Sequence, residues 1–212
     1  MKNKIILIFG ALLFLFQTST AQSNAQAEKI ISDLLNSIKT NAIKTDFKLT
    51  ISDKSNPRGQ VTSGTFTLKA SKFVLDMTEM KAWFDGKTQW AYIPQNNEVS
   101  ITEPTENELS ETNPMAILSG YKAKSIIRFS KTKTAQNYCI EMIPKVKSSV
   151  ISKIEIQVNK STQNLLLIKL SNKNGSTSLL TLSNFQKGIK VPDSFFVFNP
   201  TKYKGLIEND LR

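Results

Sequence analysis

From about residue 40 onward, apolar and polar positions mostly alternate. Phe47-Leu49-Ile51, Phe66-Leu68, Phe73-Leu75-Met77 and Trp90-Tyr92 place bulky apolar side chains on every second position, with Lys, Thr, Ser, Glu and Gln between them. The alternation returns at Tyr138-Ile140-Met142, Ile154-Ile156-Val158, Leu166-Ile168-Leu170 and Leu180-Leu182. Successive residues of a strand point to opposite faces, so the pattern predicts antiparallel strands with one dry and one wet face. Turn chemistry separates the runs at Asn56-Pro57-Arg58-Gly59, Asp85-Gly86-Lys87, Gln95-Asn96-Asn97 and Asn172-Lys173-Asn174-Gly175. About ten such strands predict one large curved sheet or barrel.

Two stretches follow another period. Ser23 or Asn24 to Lys39 is predicted helical, because Ala27, Ile30, Ile31, Leu34, Leu35 and Ile38 recur at spacings of three and four. Glu28 near its start and Lys39 near its end suit the helix dipole. Between Glu103 and Lys122 the alternation stops, and Thr112-Asn113-Pro114-Met115-Ala116-Ile117-Leu118 predicts a short helix. Asn113 is placed as N-cap, Pro114 as the first helical residue and Gly120 as the stop. These helices are the natural cover for the apolar sheet face. That face admits two readings, a packed core or a cavity for an apolar ligand beneath the helices.

The first segment bears on the compartment. Lys2 and Lys4, the apolar run Ile5–Phe16 and the small residues Ser19-Thr20-Ala21 read as a secretory signal cleaved after Ala21. The run is about twelve residues, too short for a spanning helix of about twenty. Residues 22–212 contain no linker or fixed repeat and are predicted to form a single domain outside the cytoplasm. The only cysteine is Cys139, so an internal disulfide is excluded and no lipid-accepting thiol follows the cleavage site. Cys139 lies on the same strand face as Glu141 and is predicted to be a half-exposed thiol without function.

Composition then narrows the chemistry. The absence of histidine excludes Ser-His-Asp and Cys-His catalysis and imidazole metal sites. Among 28 basic and 17 acidic residues, giving a formal charge of +11, only Arg58, Arg128 and Arg212 are arginine. Losing residues 1–21, with Lys2 and Lys4, would lower that charge to +9. Bidentate recognition of bases and phosphates favours arginine, so the lysine-rich charge argues against nucleic acid. The carboxylates worth testing are Asp76 and Glu79, and the group Glu103, Glu106, Glu108 and Glu111 around the middle helix. No phosphate-binding glycine loop or calcium loop occurs, and no metal or other cofactor is predicted.

Several segments resemble one family when taken in order. Asp85-Gly86-Lys87-Thr88-Gln89-Trp90-Ala91-Tyr92-Ile93-Pro94 resembles the DGKxxWxYxP hairpin of the LolA-like outer-membrane lipoprotein carriers. Gly64-Thr65-Phe66-Thr67-Leu68-Lys69, followed by Phe73 and Leu75, is similar to its G-x-φ-x-φ-K strand and the strand after it. Asn113-Pro114-Met115-Ala116-Ile117-Leu118 resembles its lid helix. Val191-Pro192-Asp193-Ser194-Phe195-Phe196-Val197-Phe198 resembles its late strand, and Asp210-Leu211-Arg212 its ending. The likeness runs from about residue 24 to 212.

The resemblance implies a mainly β, α+β fold: a half-open antiparallel barrel of about eleven strands with a helical lid over an apolar cavity. It implies a periplasmic, monomeric carrier of acylated lipoproteins, without catalysis. Cargo would pass from an inner-membrane ABC-type release complex to an outer-membrane acceptor, with transient membrane-surface contact. The expected cavity residues are Phe47, Leu49, Phe66, Leu68, Phe73, Leu75, Met77, Trp90, Tyr92, Ile140, Met142, Ile154, Ile156, Leu166 and Ile168, with Ile30, Leu34, Ile117 and Leu118 in the lid. One departure stands out. The family often has an arginine-proline pair after the strand lysine, whereas here Lys69 precedes Ala70-Ser71, leaving lid gating to Lys69, Lys72 or apolar contact. That departure and the basic charge keep two rivals in view, a lipid- or lipopolysaccharide-binding or envelope-sensing module of the same fold and a carboxylate-based hydrolase.

Overall fold

The computed structural model describes residues 22, 24–39, 42–105, 108–109 and 113–212. The signal-peptide expectation for residues 1–21, together with Ser23, Glu106, Glu111 and Thr112, lies outside them. The described chain is mainly β. Its strands are β1 (Ala42–Ser52), β2 (Gln60–Lys69), β3 (Lys72–Met77), β4 (Lys81–Phe84), β5 (Gln89–Ile93), β6 (Glu98–Thr102), β7 (Ser125–Phe129), β8 (Asn137–Pro144), β9 (Ile151–Asn159), β10 (Leu165–Asn172), β11 (Thr177–Ile189) and β12 (Ile207–Asp210).

These twelve strands form one open sheet in the order β12-β6-β5-β4-β3-β2-β1-β11-β10-β9-β8-β7. Neighbours are antiparallel except β12, which runs parallel to β6. The four turn signals fall between strands, with Gly59, Gly86, Asn97 and Gly175 at positive φ. The alternation alone does not disclose β4, β6, β7 or β12. β4 and β7 carry apolar residues on both faces, β12 is too short to establish a period, and β6 offers only Val99 and Ile101 as alternating apolar positions.

The strand order makes the chain cross each face of the sheet once. β6 lies near one edge and β7 forms the other, so the segment between them spans the inner face. This is where strand alternation stops. Helix α2 (Pro114–Lys122) lies there, with the Asn113 side chain accepting from the Met115 and Ala116 backbone N–H groups at 2.9 and 3.4 Å. Gly120 is not the stop, since the helix runs on to Lys122 and is capped by Ala123 in ordinary right-handed geometry.

Helix α1 (residues 24–39) joins α2 on the inner face. Ala27, Ile30, Ile31, Leu34 and Ile38 are buried in one cluster with Met115 and Leu118 and the inward side chains of the sheet. The carbonyl of Ile38, near the α1 C-terminus, accepts the Ala70 N–H from the β2–β3 turn at 2.8 Å, meeting part of the helix end's unmet hydrogen-bonding demand.

The second crossing covers the outer face. Between β11 and β12 the chain passes through short 3-10 turns at Asp193–Phe196 and Pro200–Lys202. The segment expected as a late strand therefore begins as a 3-10 turn. Its alternate aromatics instead insert Phe196 and Phe198 among Val74, Trp83 and Val99, with Trp90, Tyr92 and Tyr203 around them. The Asp193 carboxylate clasps this segment to the β2–β3 turn, 2.9 Å from Lys72 Nζ and 3.0 Å from Lys69 Nζ.

Gly64 in β2 is fixed by close approach. A Cβ there would lie 2.2 Å from the Asp76 carbonyl oxygen of β3, whereas one on Gly120 would meet nothing within 4 Å. Gly64→Ala is therefore expected to cost about 1–3 kcal/mol by overpacking. Gly120→Ala should be neutral or stabilise by up to about 1 kcal/mol. Urea unfolding midpoints of the two variants measure this contrast.

Hydrogen bonds and charge from Lys72 and Lys69 hold the Asp193 carboxyl below the ordinary aspartate range. A carboxyl lowered on folding contributes stability above its unfolded value of about 4 and loses it as pH falls through the lowered folded value. Amide exchange in residues 191–203 should therefore stay slow until the solution is more acidic than about pH 4. In Asp193→Asn it should be faster already at neutral pH.

Candidate functional site

The inner face of the sheet carries a buried apolar surface with an opening at its edge. Phe73, Ile140, Met142, Ile154, Ile156 and Ile168 are almost completely buried beneath the helices, together with Ile31 of α1 and Leu118 of α2. Beside this core lies a cavity of about 870 Å³. Its walls are the last turns of α1 (Leu35, Ile38, Lys39), the β2–β3 turn (Ala70, Ser71), Phe84, Leu109, and α2 with its flanks (Asn113, Met115, Ala116, Ser119, Gly120, Tyr121, Lys124). The β8–β9 connection completes it with Pro144, Val146, Ser148 and Ser149. A second void of about 40 Å³ lies between α1 and the sheet, bounded by Leu34, Phe66, Leu68 and Leu182. Lys39 and Lys124 put positive charge on the wall of the larger cavity, and its remaining polar side chains are mostly hydroxyls.

The side chains expected to line the cavity divide by sheet face. Phe47, Phe66, Leu68, Phe73, Ile140, Met142, Ile154, Ile156 and Ile168 belong to the inner core, and Leu49, Leu75 and Met77 pack against it. Ile30, Leu34 and Leu118 are buried in the same core, with Ile117 partly buried beside them. None of these residues borders the 870 Å³ space, because helix side chains already occupy the volume over the sheet.

Trp90 and Tyr92 require correction, since they face outward against Phe198 and its neighbours. The pairing Trp83↔Trp90 and Lys81↔Tyr92 puts them on the outer side of β4 and β5. Period two alone cannot tell which face of a short hairpin turns inward when both faces are covered. Leu166 also departs, because a bulge between Leu165 and Leu167 brings Leu165 into the core in its place.

Residues of the opening that the alternation did not suggest, such as Met115, Tyr121 and Val146, sit on helix ends or loops outside any strand period, and Pro144 is the last residue of β8. Leu35 and Ile38 were visible as part of the apolar face of α1.

The carboxylates are engaged in structure. Asp76 pairs with Lys81 across β3 and β4 at 2.6 Å, and Glu103 with Lys87 at 3.0 Å. Glu108 accepts from the Thr105 N–H and hydroxyl at 2.7 and 2.8 Å, which lowers its pKa. Glu79 is exposed at the turn after β3. Among the described residues, no group of three or more metal-ligating side chains comes together. Cys139 is buried instead of half-exposed, a small thiol on the outer face opposite the longer Gln157. Lys69 and Lys72, candidates for gating, hold Asp193 on the outer side, while the backbone of Ala70 makes the contact with α1.

Comparison with known proteins agrees with this architecture. Residues 17–174 match the family model described as outer membrane lipoprotein carrier protein LolA. An outer-membrane lipoprotein carrier protein of Shewanella oneidensis is 32% identical over 149 residues, covering 68% of this chain and 69% of its own. One from Shewanella baltica is 30% identical over 190 residues, 88% of this chain and 86% of that protein. The fold is also similar to that of an uncharacterized conserved protein from Thermus thermophilus, with a TM-score of 0.59 at 10% identity over 87% of this chain and 99% of that one. With about three quarters of its residues matched by the family model, this chain belongs to the outer-membrane lipoprotein carrier family.

Proposed function

We propose that this chain is a soluble, monomeric periplasmic carrier that shields the acyl chains of lipoproteins between its helices and the inner face of its sheet. It would receive cargo from an inner-membrane ABC-type release complex and deliver it to an outer-membrane acceptor. The observation that carries the reading is the open apolar sheet face roofed by α1 and α2, with a cavity of about 870 Å³ where the roof is incomplete. The reading is non-catalytic and requires no proton transfer.

The magnitudes decide how loading proceeds. In this reading the helices are a lid that already fills most of the space over the strands. Lifting the four large α1 side chains Ile30, Ile31, Leu34 and Ile38 from the sheet costs about 6–12 kcal/mol at about 1.5–3 kcal/mol each. Burying one long acyl chain of about fourteen methylenes recovers about 11 kcal/mol, and three such chains on the order of 30 kcal/mol. The first chain roughly offsets the displacement of the helix and the others drive it. The inward residues from Phe47 to Ile168 then become cargo contacts through exchange of helix side chains for acyl chains.

The Ala70 N–H contact to the Ile38 carbonyl is a weak latch. Its backbone bond replaces the side-chain arginine expected from the family resemblance, and is worth only about 1 kcal/mol net. Opening therefore depends chiefly on apolar exchange.

The test places bulk where the fold has room. Gly120→Trp projects an indole into the opening from a position with no heavy atom within 4 Å of its Cβ. The purified chain should release lipoproteins from spheroplasts as a soluble complex, and Gly120→Trp should release several-fold less at an unchanged melting temperature. A chain that releases none, or a variant that releases as much as the unaltered chain, would overturn the carrier reading.

A further inference from the structure

The formal charge of +11 is confined to one part of the chain. Residues 112–192, which contain α2 and β7–β11, hold 13 of the 28 basic side chains and two of the 17 acidic ones, Glu141 and Glu155. Both acids are answered within that part, Glu141 by Arg128 at 2.6 Å and Glu155 by Lys153 at 3.1 Å. The remaining residues carry equal numbers of basic and acidic groups and are formally neutral.

At one end of this half the loops form a compact surface. The Lys145 N–H donates to the Lys124 carbonyl at 2.9 Å, bringing the β8–β9 connection against the segment that leaves α2. The Lys173 N–H donates to the Val150 carbonyl at 3.0 Å, and Lys173 Nζ donates to the carbonyl of Lys147, adding the β10–β11 turn. Lys124, Lys145, Lys147 and Lys173 are all exposed. Between them Val146 and Val150 are 53% and 67% exposed. Lys124 and Val146 also border the cavity, so this surface is continuous with its opening.

We infer that this lysine and valine surface docks the chain on an anionic phospholipid bilayer. Lysines near an anionic leaflet contribute about a factor of five each in affinity, and apolar tips can enter the interface between headgroups. An acidic protein would answer the lysines as well, but the continuity of this surface with the opening of the cavity favours a bilayer, the source and sink of acyl chains. Docking in this way turns the cavity opening toward the lipid from which acyl chains leave or which they enter. That consequence for transfer rests on the carrier reading, while the docking itself rests on charge and geometry.

Cosedimentation of the purified chain with vesicles of phosphatidylethanolamine and phosphatidylglycerol tests the inference. The chain should bind these vesicles, fail to bind phosphatidylcholine vesicles, and dissociate near 1 M salt, where screening acts within about 3 Å. Lys145→Gln with Lys147→Gln should weaken binding by about 30-fold. Lys131→Gln with Lys133→Gln, on the β7–β8 connection at the other end of the same hairpin, should leave it within about twofold. Equal binding to both vesicle types, no binding to either, or equal loss in the two double variants would overturn the inference.

Solubilisation of a triacylated lipopeptide in bilayer-free buffer separates docking from cargo binding. Neither Lys145 nor Lys147 lines the cavity, so that variant should solubilise the lipopeptide as the unaltered chain does. An unaltered chain that binds anionic vesicles but solubilises no lipopeptide would remove the carrier reading and leave the docking in place.

Discussion

An open sheet of twelve strands has two faces to cover, and its strand order sends two connections across it, one over each face. The passage from β6 to β7 crosses the inner face and carries α2, where it meets α1 over a surface of isoleucine, leucine, phenylalanine and methionine. The passage from β11 to β12 crosses the outer face and inserts Phe196 and Phe198 between Trp83, Trp90 and Tyr92. The two coverings differ in kind. The outer one interlocks aromatic rings, with Phe198 and Tyr203 stacked at 4.9 Å, and ends in a strand added to the sheet edge. The inner one is built on α1 and α2, which leave a large opening beside them.

This asymmetry gives the sheet an interlocked aromatic covering on its outer face and an incomplete helical covering on its inner face. The β2–β3 turn connects the two. Its lysines hold Asp193 on the outer side while the Ala70 N–H holds the end of α1 on the inner side. Ala70 has a left-handed φ of 52°, unusual for a residue with a Cβ, and the contacts on both sides hold the turn in that conformation. One short segment thus meets both coverings. Charge is as unevenly distributed as packing, with the whole excess of lysine on the half that contains α2 and the loops beside the opening.

Much of the inner face was legible in the sequence because it is written in simple periods. The three-and-four spacing of Ala27, Ile30, Ile31, Leu34 and Ile38 and the alternation from Ile140 to Met142 and Ile154 to Val158 each have one buried side and one polar side. The N-cap at Asn113 was legible for a related reason, since an Asn-Pro pair ahead of an apolar run has few other uses. Trp90 and Tyr92 were misplaced because the residues that cover them, Phe196 and Phe198, arrive from about a hundred positions away. Leu166 was misplaced because a bulge shifts the period by one, and a bulge is decided by pairing with β9.

Taken alone, the sequence determined that this chain makes a sheet with an apolar face and helices to cover it, and its ordered motifs pointed to the carrier family. Those properties follow from local periodicity and turn chemistry, which act over a few residues. Only the tertiary structure decided which strands lie at the edges, which face each aromatic serves, and where the helices fail to meet. Each of these depends on pairing between distant segments such as β1 with β11 and β6 with β12, whose register no local pattern encodes. The cavity belongs to this second class, because it is the space left where α1, α2, the β2–β3 turn and the β8–β9 connection do not close against one another.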